Sequence, residues 1–138
     1  EKEILSNFKY KPNRAVIHGD ESSMPKNKKA WCSWNSSLNP INKEQFSVTY
    51  WLNQLQNLKI DKDIFLTINP FFKIDPNKIY NKIDFTHPYY DEKVLKNQSK
   101  LNSIQNINNT LFTGSYFGYG FHEDGIKSSI EMLKTLND

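Results

Sequence analysis

The sequence predicts an α+β chain in which antiparallel strands are followed by a carboxy-terminal strand, loop and helix. Three observations carry that expectation. The first half alternates short apolar runs with segments rich in Asp, Ser, Asn and Pro, the mark of strands joined by turns. The second half changes to a helical period. Near the end, "TLFTG" leads through the glycine-rich "GSYFGYG" into Ile126, Ile130, Leu133 and Leu136, which recur at helical spacing.

The strands expected in the first half are "AVIHG" (15–19), "AWCSWN" (30–35), "FSVTYWL" (46–52) and "IFLTINP" (64–70). In "AWCSWN", alternation sends Trp31 and Ser33 to one side and Cys32 and Trp34 to the other. Leu52, Leu55 and Leu58 predict a short helix in Tyr50–Leu58. "KIDFTHP" (82–88) reads as a further strand, ended by a proline that removes a ladder donor. Asp91 is the expected N-cap of a helix running to about Ile107, with Val94, Leu95, Leu101 and Ile104 on one face. Thr110–Gly114 reads as a short buried strand, and the last helix begins at about Glu123. Two domains follow: residues 1–107, mostly strands, and residues 108–138, a strand-loop-helix.

Composition limits the function classes. The 138 residues are 37% hydrophobic, 14% aromatic and 24% charged, a folded composition with many rings to bury or to line a pocket. The net charge of +3 comes from lysines interspersed with acids, and "KNKK" (26–29) is the one dense cluster. That is a solvated surface, so no nucleic-acid partner is expected. The lone Cys32 points to a reducing compartment, and no apolar run approaches the roughly 20 residues of a membrane span. The expectation is a soluble, cytoplasmic protein. The sequence starts at Glu1 without a methionine, so a processed, trimmed or truncated piece is expected.

"GFHEDGIKS" comes within one inserted residue of the phosphate-binding pattern G-x-x-x-x-G-K-[ST]. The insertion turns Lys127 about 100° around the helix, and Glu123 and Asp124 stand where an anion would lie. A G-x-G-x-x-G dinucleotide turn fails too, because Glu123 occupies the third glycine position. His18, Asp20, His87, His122, Glu123 and Asp124 supply metal-ligand types, but no H-x-x-x-H or C-x-x-C spacing is present, and no metal is expected. The acids suit the positive end of a helix.

"TLFTGSYFGYGFHEDGIKSS", with "VIHGD", "MP", "AWCSWN", "VTYWLNQLQ", "LTINP" and "HPYYD" upstream, resembles the carboxy-terminal part of FAD-dependent amine-oxidase-like flavoproteins. The match is to a bacterial subgroup described as predicted NAD/FAD-binding proteins. The resemblance implies that residues 1–107 are strands of a substrate domain with their connecting helix. It implies that 108–138 close a Rossmann-like FAD-binding domain whose amino-terminal part is missing from this sequence. Gly114, Ser115, His122, Glu123, Asp124, Gly125 and Ile126 are then the expected cofactor residues, with Gly125 and Ile126 offering backbone N–H groups to the flavin's anionic edge. Glu123 and Asp124 are expected to cap the helix away from the ring. Tyr116, Phe117, Tyr119 and Phe121 would wall the ring or cavity, with core packing expected for at least two of them. Trp34, Asn35 and Tyr119 are the expected substrate-cavity residues.

Two positions depart from the pattern. Ser115 stands where the superfamily often has an acid that binds the ribityl chain, and Ser129–Ile130 replace a small residue followed by glycine. The implied activity is hydride transfer from a small organic substrate to flavin, with no catalytic residue assigned and the fragment alone inactive. The competing expectation is a self-contained module in which Trp31, Trp34, Trp51 and the tyrosines form a platform for a sugar or peptide.

Overall fold

The computed structural model describes residues 1–136. They form an α+β chain with a five-stranded antiparallel sheet and four α-helices among the described residues. The strands are β1 (Lys9–His18), β2 (Trp34–Leu38), β3 (Phe46–Trp51), β4 (Phe65–Ile68) and β5 (Ile79–Tyr89), in the order β2-β3-β4-β1-β5. The helices are α1 (Lys2–Leu5), α2 (Leu52–Leu55), α3 (Glu92–Gln98) and α4 (His122–Lys134). Among the described residues no helix is long and apolar enough to cross a membrane.

The chain divides into two compact units: Pro12–Thr86, which holds most of the sheet, and Glu1–Lys11 with His87 onward. Residues 87–107 and the residues after 107 therefore fall in one unit, and 12–86 in the other. Both β1 and β5 begin in one unit and end in the other.

In the sheet unit, the register places Val16 opposite Thr67 and Thr67 opposite Thr49, so their side chains share one face. His18, Phe65 and Ser47 alternate onto that same face, and all six are buried. His18 Nε2 lies 2.8 Å from Thr67 Oγ1, which lies 2.8 Å from Thr49 Oγ1. His18 Nδ1 accepts the Asp20 N–H at 3.1 Å, so the neutral ring carries its proton on Nε2 and donates it to Thr67. The opposite face carries Ile17, Val48, Tyr50, Leu66 and Ile68, all half-buried. Asp20 joins the end of β1 to two 3-10 turns. Its carboxylate accepts the N–H of Ser22 at 3.1 Å and of Asp75 at 2.8 Å.

Two expected strands are corrected. Only the end of "AWCSWN" is a strand: Lys28–Ala30 form a 3-10 turn, and β2 starts at Trp34. Asn27 Oδ1 caps the Lys29 N–H, and the Asn35 amide bonds both the N–H and the C=O of Cys32, so side chains take backbone groups that a ladder would need. The burial alternation survives, with Trp31 and Ser33 more covered than Cys32 and Trp34. "TLFTG" forms no strand either; only an isolated bridge joins Ile107 and Thr110. The Gln105 side chain takes both the N–H (2.9 Å) and the C=O (2.6 Å) of Phe112, which removes the groups that strand pairing would use.

Two helices also differ from expectation. Asp91 caps α3 as expected, accepting the Val94 N–H at 2.9 Å, but the helix ends at Gln98 and resumes as a 3-10 turn over Leu101–Ile104. Val94, Leu101 and Ile104 are buried while Leu95 is 52% exposed. In α4 the apolar stripe is outward: Ile126, Ile130 and Leu133, with Leu136 just past the helix end, are all more than half exposed, and Ser128 is buried. Hydrogen bonds from Asp124, Ser128 and Ser129 turn the polar side of α4 inward.

Candidate functional site

The turn between Gly114 and α4 is organised by Asp124, the third residue of the helix. Its carboxylate accepts the backbone N–H of Tyr119 at 3.0 Å and of Phe121 at 2.9 Å. This is the acidic half of a capping box, set in the favourable potential of a helix start. Phe121 has no acceptor to complete the box, so the N–H groups of Asp124 and Gly125 bond to Phe121 O at 3.1 and 3.3 Å. The helix begins at His122, so His122 and Glu123 carry its leading N–H groups without a side-chain cap. Gly125 and Ile126 lie within the helix rather than at its open end.

The strap from Gly114 to Phe121 is held at three further points. A 3-10 turn over Ser115–Phe117 closes through Gly118 N–H to Ser115 O at 3.1 Å, and Gly120 N–H reaches the same oxygen at 3.2 Å. The Gln98 amide donates to Tyr116 O at 3.1 Å and to Gly118 O at 2.5 Å. Ser128 Oγ accepts the Gly114 N–H at 2.9 Å and donates to Gly125 O at 2.8 Å, and Thr113 and Ser129 hydroxyls meet at 2.7 Å.

Three of the five glycines have an internal reason. Gly114 (φ +154°) and Gly120 (φ +96°) take backbone conformations that side chains disfavour, and a Cβ would press on Tyr116 or Tyr90. A Cβ at Gly118 would strike the Asp124 carboxyl, whereas one at Gly19 would meet only the hydroxyl tip of the exposed Tyr80 side chain. Gly125 differs. It is helical, and the nearest atom to a Cβ there is Ser115 N at 3.7 Å, an ordinary contact. A glycine in a helix interior costs about 1 kcal/mol relative to alanine. Packing within the chain does not require it.

Two of the four loop rings pack internally. Tyr116 meets Phe8 edge-on at 5.3 Å and Phe117 at 5.1 Å, and burial pushes its hydroxyl pKa up. Tyr119 and Phe121 are 80% and 69% exposed beside the start of α4. Tyr90 sends a buried, unpartnered hydroxyl toward Gly120, and burial, with the nearby Asp124 and Tyr10, raises its pKa.

Of the other expected cofactor residues, the Ser115 hydroxyl, the His122 ring and the Glu123 carboxylate make no hydrogen bond among the described residues. Ile126 is 58% exposed. The expected cavity residues divide between the units: Tyr119 lies in the strap, Trp34 and Asn35 in the sheet. Trp34 is exposed and meets Tyr50 edge-on at 5.3 Å. The Asn35 amide is spent on Cys32 and on Thr49 O. Among the described residues no group of three or more His, Cys, Asp or Glu is placed to hold a metal ion.

The sheet unit carries a cleft of about 820 Å³ that the sequence reading did not find. Phe46, Phe71 and Phe85 contribute rings to its lining, and Arg14, Asp84 and Glu44 contribute charge. Arg14 Nε and Nη2 donate to the two Asp84 oxygens at 2.7 and 3.1 Å. The hydrogen bond raises the arginine pKa and lowers that of the carboxylate. Arg14 N–H also bonds Asn69 Oδ1 at 2.9 Å, and Asn69 N–H returns to Arg14 O at 2.8 Å. One sequence signal could have marked the place: Arg14 is the only arginine among 18 basic residues.

No family model matches the chain, and no match to it is found among the curated proteins.

Proposed function

We propose that the chain is the carboxy-terminal portion of an FAD-dependent oxidoreductase of the amine-oxidase-like kind. In this reading the strap and the start of α4 lie against the pyrimidine edge of the flavin. The observation that carries the proposal is Gly125: a helix-interior glycine where an added methyl group would make only an ordinary contact, with Ser115 N at 3.7 Å. A surface that must meet a flat cofactor closely supplies the reason that internal packing does not.

The residues fit the cofactor's edge. The donors are the N–H groups of His122 and Glu123, three residues earlier than the sequence implies. The Asp124 carboxylate is engaged by Tyr119 and Phe121 and so does not face an anionic ring as a free charge. Tyr119 and Phe121 are available to wall the ring, and the Ser115 hydroxyl is free for a ribityl oxygen. The flavin, when bound, would supply hydride acceptance from a C–H bond of a small organic substrate. The ADP half of FAD would rest on an amino-terminal Rossmann part of the same protein.

The platform reading has less support. Trp31 and Trp51 meet edge-on at 5.3 Å, and their indole N–H groups are spent on Pro25 O and Asp63. Only Trp34 of the three is left exposed.

The test is flavin retention by the protein expressed from its whole gene and, separately, by these 138 residues alone. The longer product should purify yellow with FAD extractable on denaturation, and the shorter chain should purify colourless. A colourless longer product contradicts the proposal. Tight flavin binding by the shorter chain contradicts the need for a second part.

A further inference from the structure

We infer that the cleft in the sheet unit binds a small aromatic carboxylate, with Arg14 reading the carboxylate and the phenylalanines holding the ring. The inference is independent of the flavin proposal, since every residue it uses lies within Pro12–Thr86. The cleft volume of about 820 Å³ falls within the range of small-molecule sites, and its lining combines apolar rings with a few polar groups: Arg14 with its partner Asp84, and a second carboxylate, Glu44, which a cationic ligand would prefer and which the amine control below tests. Phe46, 63% exposed, presents its ring at this cleft.

The identity of residue 14 sharpens the ligand class. The chain meets its other needs for positive charge with lysine, and a lysine would serve equally for a simple solvated charge. The one guanidinium sits in this cleft. Asp84 grips it through Nε and Nη2, which fixes the plane of the fork and leaves the remaining N–H groups free to donate. The backbone behind it is locked by the reciprocal bonds with Asn69, so the fork stands on a rigid strand. A planar acceptor with two oxygens matches the free edge of a guanidinium, and the rings favour a flat apolar body attached to it.

The probe is 3-phenylpropionate, titrated into the 138-residue chain and followed by amide and aromatic NMR shifts, with phenethylamine as the matched cation. The expected result is saturable shifts at Arg14, Phe46, Phe71 and Asp84 with a dissociation constant on the order of 1 mM. Phenethylamine should give no saturable shift. Arg14→Lys keeps the charge but loses the fork and should weaken binding at least about tenfold. Phe46→Ala, on an exposed ring that the fold does not bury, should weaken it too while preserving the spectrum of the folded chain. No saturable shift with the carboxylate overturns the inference. So does equal binding of the amine, or undiminished binding in either folded variant.

Discussion

Asp124 accepts the N–H of Phe121 at 2.9 Å and thereby joins the end of the glycine strap to the start of the last helix. The same carboxylate holds Tyr119 at 3.0 Å, so one side chain sets the position of both exposed rings. Asp124→Ala should cost about 1–2 kcal/mol, from a lost cap and two unpaired N–H groups. Urea unfolding measures the loss. Amide exchange in residues 115–121 should quicken while exchange in β3 and β4 stays unchanged; uniform acceleration would contradict a local role.

The Gln105 side chain substitutes for a neighbouring strand at Phe112. Gln105→Ala leaves a donor and an acceptor without partners and should lower stability by about 1–3 kcal/mol. Gln105→Glu keeps the acceptor for the Phe112 N–H but sets a carboxylate against the Phe112 carbonyl, so it should recover little. Recovery of full stability by the Glu variant would show that the contact to the carbonyl is unimportant.

His18 predicts a pH dependence of stability. Burial is the main cause that lowers its pKa below the ordinary 6.5, against opposing contributions from Asp20. The folded state therefore resists protonation while the unfolded chain takes up a proton near 6.5. The stability is fully present above 6.5 and is lost as pH falls from there through the lower folded pKa. Asp20 acts in a separate window. Burial opposes its charge, but the N–H groups of Asp75 and Ser22 and the charge of Lys78 outweigh it and hold its pKa below 3.8. Its contribution is present above 3.8 and goes as pH falls below that. Thermal midpoints from pH 8 to 5 should fall below about 6.5 in the native chain. His18→Gln should flatten that slope, and an unchanged slope would assign it to other groups.

Gly125→Ala should stabilise the chain by up to about 1 kcal/mol, because helix propensity favours alanine and the structure has room for its methyl group. A destabilised variant would mean that the packing at Ser115 is tighter than 3.7 Å implies.

The sequence made the sheet legible where local signals agreed with long-range pairing. β3 and β4 match their apolar runs closely, and Asp91 announces its helix by its own side chain. It failed where side chains replaced the backbone's usual partners, over separations from three residues (Asn35 on Cys32) to fourteen (Ser128 on Gly114). Gln105 disarms Phe112, Ser128 takes the Gly114 N–H, and Asn35 folds back on Cys32. The face of α4 was misread for a related reason. Apolar periodicity finds the stripe of Ile126, Ile130 and Leu133, but the hydrogen bonds of Ser128 and Ser129 decide which side turns inward. The strap's glycines were visible as a cluster, while only three-dimensional packing separates Gly125 from the others. Arg14 and Asp84 are brought together by a sheet pairing that spans 70 positions, beyond the reach of any local pattern.

The most direct measurement of the central claim is FAD content in the protein from the whole gene, native against Gly125→Ala, at equal folding by circular dichroism. The account predicts near-stoichiometric flavin in the native protein and affinity lowered about tenfold in the variant, although the variant's helix is the more stable. Absence of flavin from the native protein, or equal flavin affinity in both, would contradict it.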